Sequence, residues 1–248
     1  MNNTELKTAI VTGAAQGMGL EWCRQLAQRG YQVILTARSS AKAEQAAKGL
    51  REENIEVTPT VLDVEQEENI RHFAHWFDQH HGRLDLLVNN AGLNPKDYPD
   101  RSRFAKTYYL DELDMDEVLR VIRVNALSPA IVVKHLRSAL KSSAHPMVVN
   151  ISSWLGSVTL KDSPGHYGYA TGKAALNMVT RAMALELRDD GIIVVAANPG
   201  WVKTRMGGDN AEFTAEQSVG AMLKNIVDRA ALENSGKFYH WDGREHPC

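Results

Sequence analysis

Cysteine is scarce: only Cys23 and Cys248 occur in 248 residues. Cys23 falls in a helical pattern, so a disulfide framework is not expected and a reducing compartment is the simpler setting. Long hydrophobic runs are missing too, with none near the ~18 residues a membrane span needs. The opening MNNTELKTAIVTG passes from polar residues into a strand without the apolar core of a signal peptide, so a cytoplasmic location away from any membrane is expected. Neither sign of charge dominates. Twenty-eight Lys and Arg against 30 Asp and Glu leave a net charge of −2, which offers nucleic acid and anionic membranes no electrostatic footing. Repeats, low-complexity tracts and linker-like stretches are absent. Histidines 72, 75, 80 and 81 cluster on one helix without a converging carboxylate–His ligand pattern, so no metal is expected there.

What remains is an ordinary globular composition, 44% hydrophobic and 23% charged, expected to form one domain over residues 1–248. Short apolar runs alternate with amphipathic stretches. Strand patterns fall at 8–13, 31–37, 56–64, 84–92, 146–152, 191–200 and 236–242. Helical patterns fall at 19–30, 41–53, 65–81, 114–140, from about 166 to 188, and 214–231. Near-continuous apolar strands indicate burial on both faces, as in a parallel sheet covered by helices. The alternation predicts an α/β fold: a single doubly wound domain of βαβ units, with seven parallel strands. Residues 93–110 and 200–213 are the longest stretches expected to be irregular. Both follow strand C-termini, where open α/β sheets bind ligands.

The first strand runs into Thr12-Gly13-Ala14-Ala15-Gln16-Gly17-Met18-Gly19 and then a helix. Glycines at such a turn let a pyrophosphate approach helix N–H groups, although the spacing is GxxxGxG and not the commoner GxGxxG. The second strand ends Thr36-Ala37-Arg38-Ser39-Ser40, without the carboxylate that would hold a ribose 2′-hydroxyl. Arg38 and the serine hydroxyls suit a 2′-phosphate, which favours NADP over NAD. Further on, HYGYATGK (166–173) sets two tyrosines near Lys173. Tyr169, four residues before Lys173, shares its helix face; Tyr167, six before, points away.

Six elements, TGAAQGMG (12–19), NNAG (89–92), Asn125 in RVNALSP, NISS (150–153), YATGK (169–173) and NPGWVKT (198–204), together resemble the short-chain dehydrogenase/reductase superfamily. WLGSV, PGWVKTRMGG and GKFYHWDGREHP are similar to its sniffer and C-factor-like carbonyl reductases. The resemblance implies a Rossmann-type sheet and NAD(P)-dependent redox chemistry at a carbonyl or alcohol of a small molecule. Carried over residue by residue, Gly13, Gln16, Gly17, Met18 and Gly19 would hold the pyrophosphate turn, and Arg38 and Ser39 the 2′-phosphate. Asp63 and Val64 would flank the adenine; Asn89, Ala91 and Gly92 would line the ribose side. Pro199, Gly200, Val202 and Thr204 would cradle the nicotinamide end. Asn125, Ser153, Tyr169 and Lys173 would form the catalytic set, with Tyr169 as general acid–base. An unperturbed tyrosine pKa of about 10 suits that role poorly, and a neighbouring ammonium favours the phenolate.

Two departures stand out. Many relatives carry the catalytic serine thirteen residues before the tyrosine, where this chain has Gly156. Ser153 implies three extra loop residues, with Ser152 and Ser157 as alternatives. Gly172 replaces a common serine, at some expected cost in helix stability. Trp154, Tyr167, Trp201 and Met206 flank the implied site, either as walls for an apolar or aromatic carbonyl or, for the tryptophans, as seals over the cofactor. The Gly207–Gly208 pair reads as a lid hinge or as plain loop, and 93–109 as a lid, a partner surface or a charged exposed loop. Apolar residues on two helices (Val132, Val133 and Leu136; Leu176, Met178, Val179 and Met183) suggest a homodimer or homotetramer, or else burial within one subunit. Two other readings are an NAD(P)-binding signalling protein with little turnover and a nucleotide-sugar epimerase or dehydratase, the latter disfavoured by chain length.

Overall fold

The computed structural model describes residues 6–97 and 100–248. In chain order the elements are β1 (Thr8–Val11), α1 (Gly17–Gln28), β2 (Gln32–Ala37), α2 (Ser40–Glu52), β3 (Thr58–Val61), α3 (Glu67–His80), β4 (Leu86–Asn89), α4 (Arg101–Tyr108), α5 (Met115–Ile122), α6 (Ser128–Lys141), β5 (Met147–Ile151), α7 (Tyr167–Glu186), β6 (Ile193–Asn198), α8 (Ala215–Met222) and β7 (Phe238–His240). The strands form one sheet in the order β3-β2-β1-β4-β5-β6-β7, and every neighbouring pair is parallel. The order reverses between β1 and β4, which opens a crevice at their C-terminal ends.

Strand periodicity divides the core in two. Ala9 and Val11 of β1, Met147, Val149 and Ile151 of β5, and Ile193, Val195 and Ala197 of β6 face one layer, with Trp22, Cys23, Leu26, Leu50, Val219 and Met222 of the helices α1, α2 and α8. Ile10, Val148 and Val194 face the other, against Ile70, Phe73, Phe77, Val132, Leu136, Leu140 and Met183 of α3, α6 and α7. Both faces are buried, as the apolar strands predict.

Three expectations change. The single helix expected over 114–140 runs unbroken from Met115 to Lys141 but takes a π-helical turn at Arg123–Leu127 between α5 and α6. The last helix, expected to Ala231, is α-helical only to Met222 and then takes a π turn over Leu223–Val227. The segment 93–110 is not irregular throughout: Asp100 caps α4 by accepting from the Ser102 N–H (3.0 Å), and Arg103 forks onto Glu117 of α5 at 2.9 Å. Tyr98 and Pro99 of that segment lie outside the described residues. Of the apolar residues that suggested assembly or else burial within one subunit, Val132, Val133, Leu136, Leu176 and Met183 are buried in the subunit, while Met178 is 70% exposed.

One polar thread crosses the core. Asn89 of β4 donates to Asn150 of β5 (2.9 Å), Asn150 donates to Thr180 of α7 (2.8 Å), and the Thr180 hydroxyl donates to the Leu176 carbonyl (2.7 Å). It ties two central strands to the helix that carries Tyr169 and Lys173. Asn150→Ala strands two buried polar partners and is expected to lower the unfolding free energy by about 1–3 kcal/mol in urea titration. An unchanged midpoint and slope would show that the thread adds no net stability.

Candidate active site

The Gly-rich turn is fixed by the loop after β4. Asn90 Nδ2 donates to the carbonyls of Thr12 (2.9 Å) and Gly13 (3.1 Å), while Thr12 Oγ1 accepts from the N–H groups of Asn90 and Ala91, both at 3.0 Å. A Cβ on Gly13, which has φ +64°, would lie 2.9 Å from Ala91 Cα, and one on Gly19 2.6 Å from both Asn90 Nδ2 and the Gly13 carbonyl. Side chains at these positions would push the turn off the strand ends. Helix α1 starts at Gly17 with no side-chain cap from Gln16 and no acidic residue in its first turn, so its N–H groups and dipole face the crevice. These features fit a dinucleotide pyrophosphate.

At the end of β2, Arg38 and Ser39 are exposed and no acidic residue follows the strand. Arg120 binds Glu65 at 2.7 and 3.0 Å and holds its carboxyl below the usual range against the opposing effect of burial, with Arg123 and Arg38 adding to the pull. Asp63 caps its own turn by accepting from the Glu65 N–H (3.1 Å), and the Val64 carbonyl accepts from Ser128 (2.7 Å). The Asn89 side chain is buried and donates to Asn150 (2.9 Å).

The other half of the site is built around Lys173. The residue is 5% exposed, and its ammonium donates to the Ile151 carbonyl at the end of β5 (2.6 Å) and sits 5.7 Å from the Tyr169 ring centroid. Burial lowers its pKa from 10.5 to about 8. Asn125, on the π turn, clasps the backbone of Leu93, accepting from its N–H (2.7 Å) and donating to its carbonyl (2.9 Å). Inserted residues of this kind re-aim side chains at functional positions. Gly92 separates the two: a Cβ there would lie 3.2 Å from Asn125 Oδ1 and 3.7 Å from Lys173 Nζ. Gly172 faces the Asn125 side chain, with 3.3 Å from a built Cβ to Asn125 Cβ, so that glycine serves packing as well as costing propensity.

The serines separate by their bonds. Ser152 donates to Asn177 of α7 (2.7 Å), and Ser157 accepts from the Leu160 N–H (3.1 Å). Ser153 caps the short 3₁₀ turn Trp154–Gly156, accepting from Leu155 N–H at 3.2 Å, and is less buried than either. Gly156, at the position where a hydroxyl would otherwise stand, packs on the Lys173 backbone; a Cβ would approach Lys173 C to 2.7 Å. The stretch carrying Ser153 thus touches Lys173 at both ends, through Ile151 and Gly156.

After β6, Gly200 has φ +78°, and the Pro199 carbonyl accepts from Ser218 of α8 (2.7 Å). Thr204 lies beside Gly17, 3.4 Å from a Cβ built there, which joins this loop to the pyrophosphate turn. The loop closes on itself through the Val202–Phe213 bridge and the Trp201 indole, which donates to the Gly207 carbonyl (2.8 Å). Gly207 is wedged against the Val202 carbonyl, whereas Gly208, at φ +79°, has open space around it. Trp154, Tyr167 and Trp201 are partly exposed at the strand C-terminal edge, and Met206 is half-buried.

The profile of the family described as short chain dehydrogenase matches residues 7–215. The chain belongs to the short-chain dehydrogenase/reductase family. It is 32% identical to the short-chain dehydrogenase anuI of Penicillium roqueforti over 241 residues, covering 92% of this chain and 91% of that one. It is 35% identical to C-signal of Myxococcus xanthus over 166 residues, 67% of this chain and 93% of that one. Among solved structures, NADPH-bound carbonyl reductase from chicken fatty liver superposes with a TM-score of 0.86 at 28% identity, covering 98% and 99% of the two chains. Carbonyl reductase Sniffer of D. melanogaster shares the fold at TM-score 0.84 and 24% identity, covering 98% and 100%. Relatives of this dehydrogenase/reductase thus include oxidoreductases crystallised with a nicotinamide cofactor.

Sequence reasoning missed the π turn, the Thr12–Asn90 brace and the Asn89–Asn150–Thr180 thread of this dehydrogenase/reductase. The second Asn of NNAG is the local signal for the brace. On α3, His72 pairs with Glu68 (2.9 Å), His75 with Gln79 (3.0 Å), and His80 with the Trp76 carbonyl (2.7 Å). Below pH about 8 the fold must bury a charged Lys173, and as pH rises toward 10.5 it sheds that proton before the unfolded chain does. Stability of the native protein relative to Lys173→Met is therefore expected to increase between pH 8 and 10 in denaturant titrations; a flat difference would contradict it.

Proposed function

We propose that this chain is an NADP-dependent oxidoreductase that transfers a hydride between nicotinamide and the carbonyl or alcohol of a small molecule. The observation that carries this reading is the buried Lys173 beside Tyr169, with Asn125 across Gly92. Bound NADPH would supply the hydride. Tyr169 gives its phenolic proton to the substrate oxygen as the carbonyl carbon is reduced, and Lys173 lowers the cost of the phenolate left behind. Ser153 donates to the same oxygen and positions it. Asn125 holds Leu93 and keeps the crevice wall in register with Lys173. Gly13, Gln16, Gly17, Met18 and Gly19 take the pyrophosphate, Arg38 and Ser39 the 2′-phosphate, and Pro199, Gly200, Val202 and Thr204 the nicotinamide end. Trp154, Tyr167, Trp201 and Met206 favour an apolar or aromatic carbonyl substrate.

Free thiols at Cys23 and Cys248 suit work in a reducing cytoplasm. A second copy would pack on α5 and α7, where Leu119, Met178 and Leu185 remain exposed. The similarity to C-signal supports a second reading, a signalling protein on the same fold that binds the nucleotide with little turnover.

NADPH oxidation across aldehydes, ketones and diketones separates the two. Tyr169→Phe is expected to cut turnover by about 10²–10⁴-fold while NADPH binding by fluorescence persists. Binding without turnover on any carbonyl or alcohol would favour the signalling reading. Arg38→Asp is expected to shift preference from NADPH toward NADH by roughly 10–100-fold, the loss of one charge-assisted contact. An unchanged ratio of the two affinities would remove Arg38 from the 2′-phosphate site.

A further inference from the structure

Beyond β7 the chain doubles back. His240 N–H donates to the Arg244 carbonyl (2.8 Å), Tyr239 bridges Glu245 in antiparallel fashion, and His246 N–H donates to the Phe238 carbonyl (2.7 Å). The His246 ring stacks on Phe238 with centroids 5.0 Å apart, and its Nε2 lies 2.9 Å from Asn198 Nδ2. Asn198, 2% exposed, ends β6 immediately before Pro199–Gly200. Its Oδ1 accepts from the Gly200 N–H (3.2 Å). That bond fixes the amide orientation, so Nδ2–H points at His246 and Nε2 must accept, which requires a neutral ring protonated on Nδ1.

The same hairpin reaches two other places. Trp241 packs on Gly200, its Cδ1 2.9 Å from a built Cβ, and on Phe213 at 4.7 Å between centroids. Phe213 closes the 201–213 loop through its carbonyl, which accepts from Lys203 N–H (2.7 Å). Thr159, in the loop between Ser153 and Tyr169, donates to the Cys248 carbonyl from its N–H (3.2 Å) and from Oγ1 (2.5 Å). Residues 238–248 therefore touch both loops that flank the site.

We propose that this C-terminal hairpin is a clamp that sets the position of the Pro199–Gly200 turn and the 201–213 loop, with His246 as its latch. The inference rests on the reading of these loops as the nicotinamide and substrate side of the site. A neutral His246 accepts the Asn198 proton and holds the turn. A protonated ring sets N–H against N–H, so the bond is lost and the turn is released. The groups facing His246 are His240 on β7, Asp242 and Arg244 in the turn, and the Lys237–Glu245 pair (3.2 Å) across the hairpin; His240 is itself 3.0 Å from Asp242. Burial, then His240 and Arg244, keep His246 below the usual imidazole range, with Asp242 opposing them. The latch is thus closed at neutral pH and opens on the acid side. Its proton is held below the usual imidazole range, whereas burial lowers the Lys173 pKa to about 8.

The test is hydrogen exchange of amides 200–213 in cofactor-free protein at pH 7.5 and 5.5, comparing the native chain with His246→Gln and His246→Ala at each pH. Glutamine keeps an acceptor for Asn198 and does not titrate. Equal protection of native protein and His246→Gln is expected at pH 7.5, with exchange about fivefold faster in the native protein at pH 5.5, the equivalent of one lost hydrogen bond. His246→Ala is expected to exchange faster at both. Identical protection in native protein and both variants would overturn the clamp. NADPH titration of the same samples is expected to show an acid-side loss of affinity that His246→Gln abolishes. Absence of NADPH binding at either pH would refute the cofactor reading, and the exchange data would still decide the latch.

Discussion

A lysine ammonium held almost entirely out of water is the constraint around which this molecule is arranged. Burying such a group uncompensated costs several kcal/mol. Lys173 is compensated by one main-chain carbonyl, that of Ile151, and by the ring of Tyr169. For that carbonyl to be available, β5 must end where it does and α7 must lie against it. The backbone must also come close, and Gly156 allows this by packing on the Lys173 main chain while Gly92 leaves room beside Nζ. Position 156, thirteen residues before Tyr169, has no room for a side chain against the Lys173 main chain.

The architecture was legible because its cause is periodic. Ile10 between Ala9 and Val11, and Val148 between Met147 and Val149, supply apolar groups to both sides of the sheet, and uninterrupted apolar runs have few other uses. Gly13, Gly17 and Gly19 were legible for a different reason: Gly13 and Gly19 sit where the backbone approaches another chain segment closely, and Gly17 has a φ of +57°. That Tyr169 and not Tyr167 shares a helix face with Lys173 followed from helix geometry, and the two side chains lie together.

What escaped the sequence depends on contacts far apart in the chain. The π turn at Arg123–Leu127 has no local signature; Ser128 stabilises it by donating to the Arg123 carbonyl and to Val64, 64 residues away. Helix α4 hid behind a charge-rich composition, although Asp100 followed two residues later by Ser102 is a capping pattern. Val132, Leu136 and Leu176 left assembly and burial within one subunit both open because the two helices have apolar residues on several faces, and only the packed layers show which face is inward. Asn198 gave no sign of its partner, since His246 lies 48 residues on and reaches it by a reversal of the chain.

That reversal has a consequence for how copies of the molecule can meet. An open sheet normally presents two rows of unpaired main-chain groups, and these recruit strands from other chains. Here the outer rim of β7 is occupied by the chain's own return segment through Glu245 and His246. At the opposite rim, β3 carries Pro59, which has no N–H to offer. The ladder is terminated by the protein itself at one end and blunted at the other. Association by extending the sheet is thereby discouraged, which leaves side chains on the helical layers to decide what assembles and keeps a strongly β-forming core from templating aggregation.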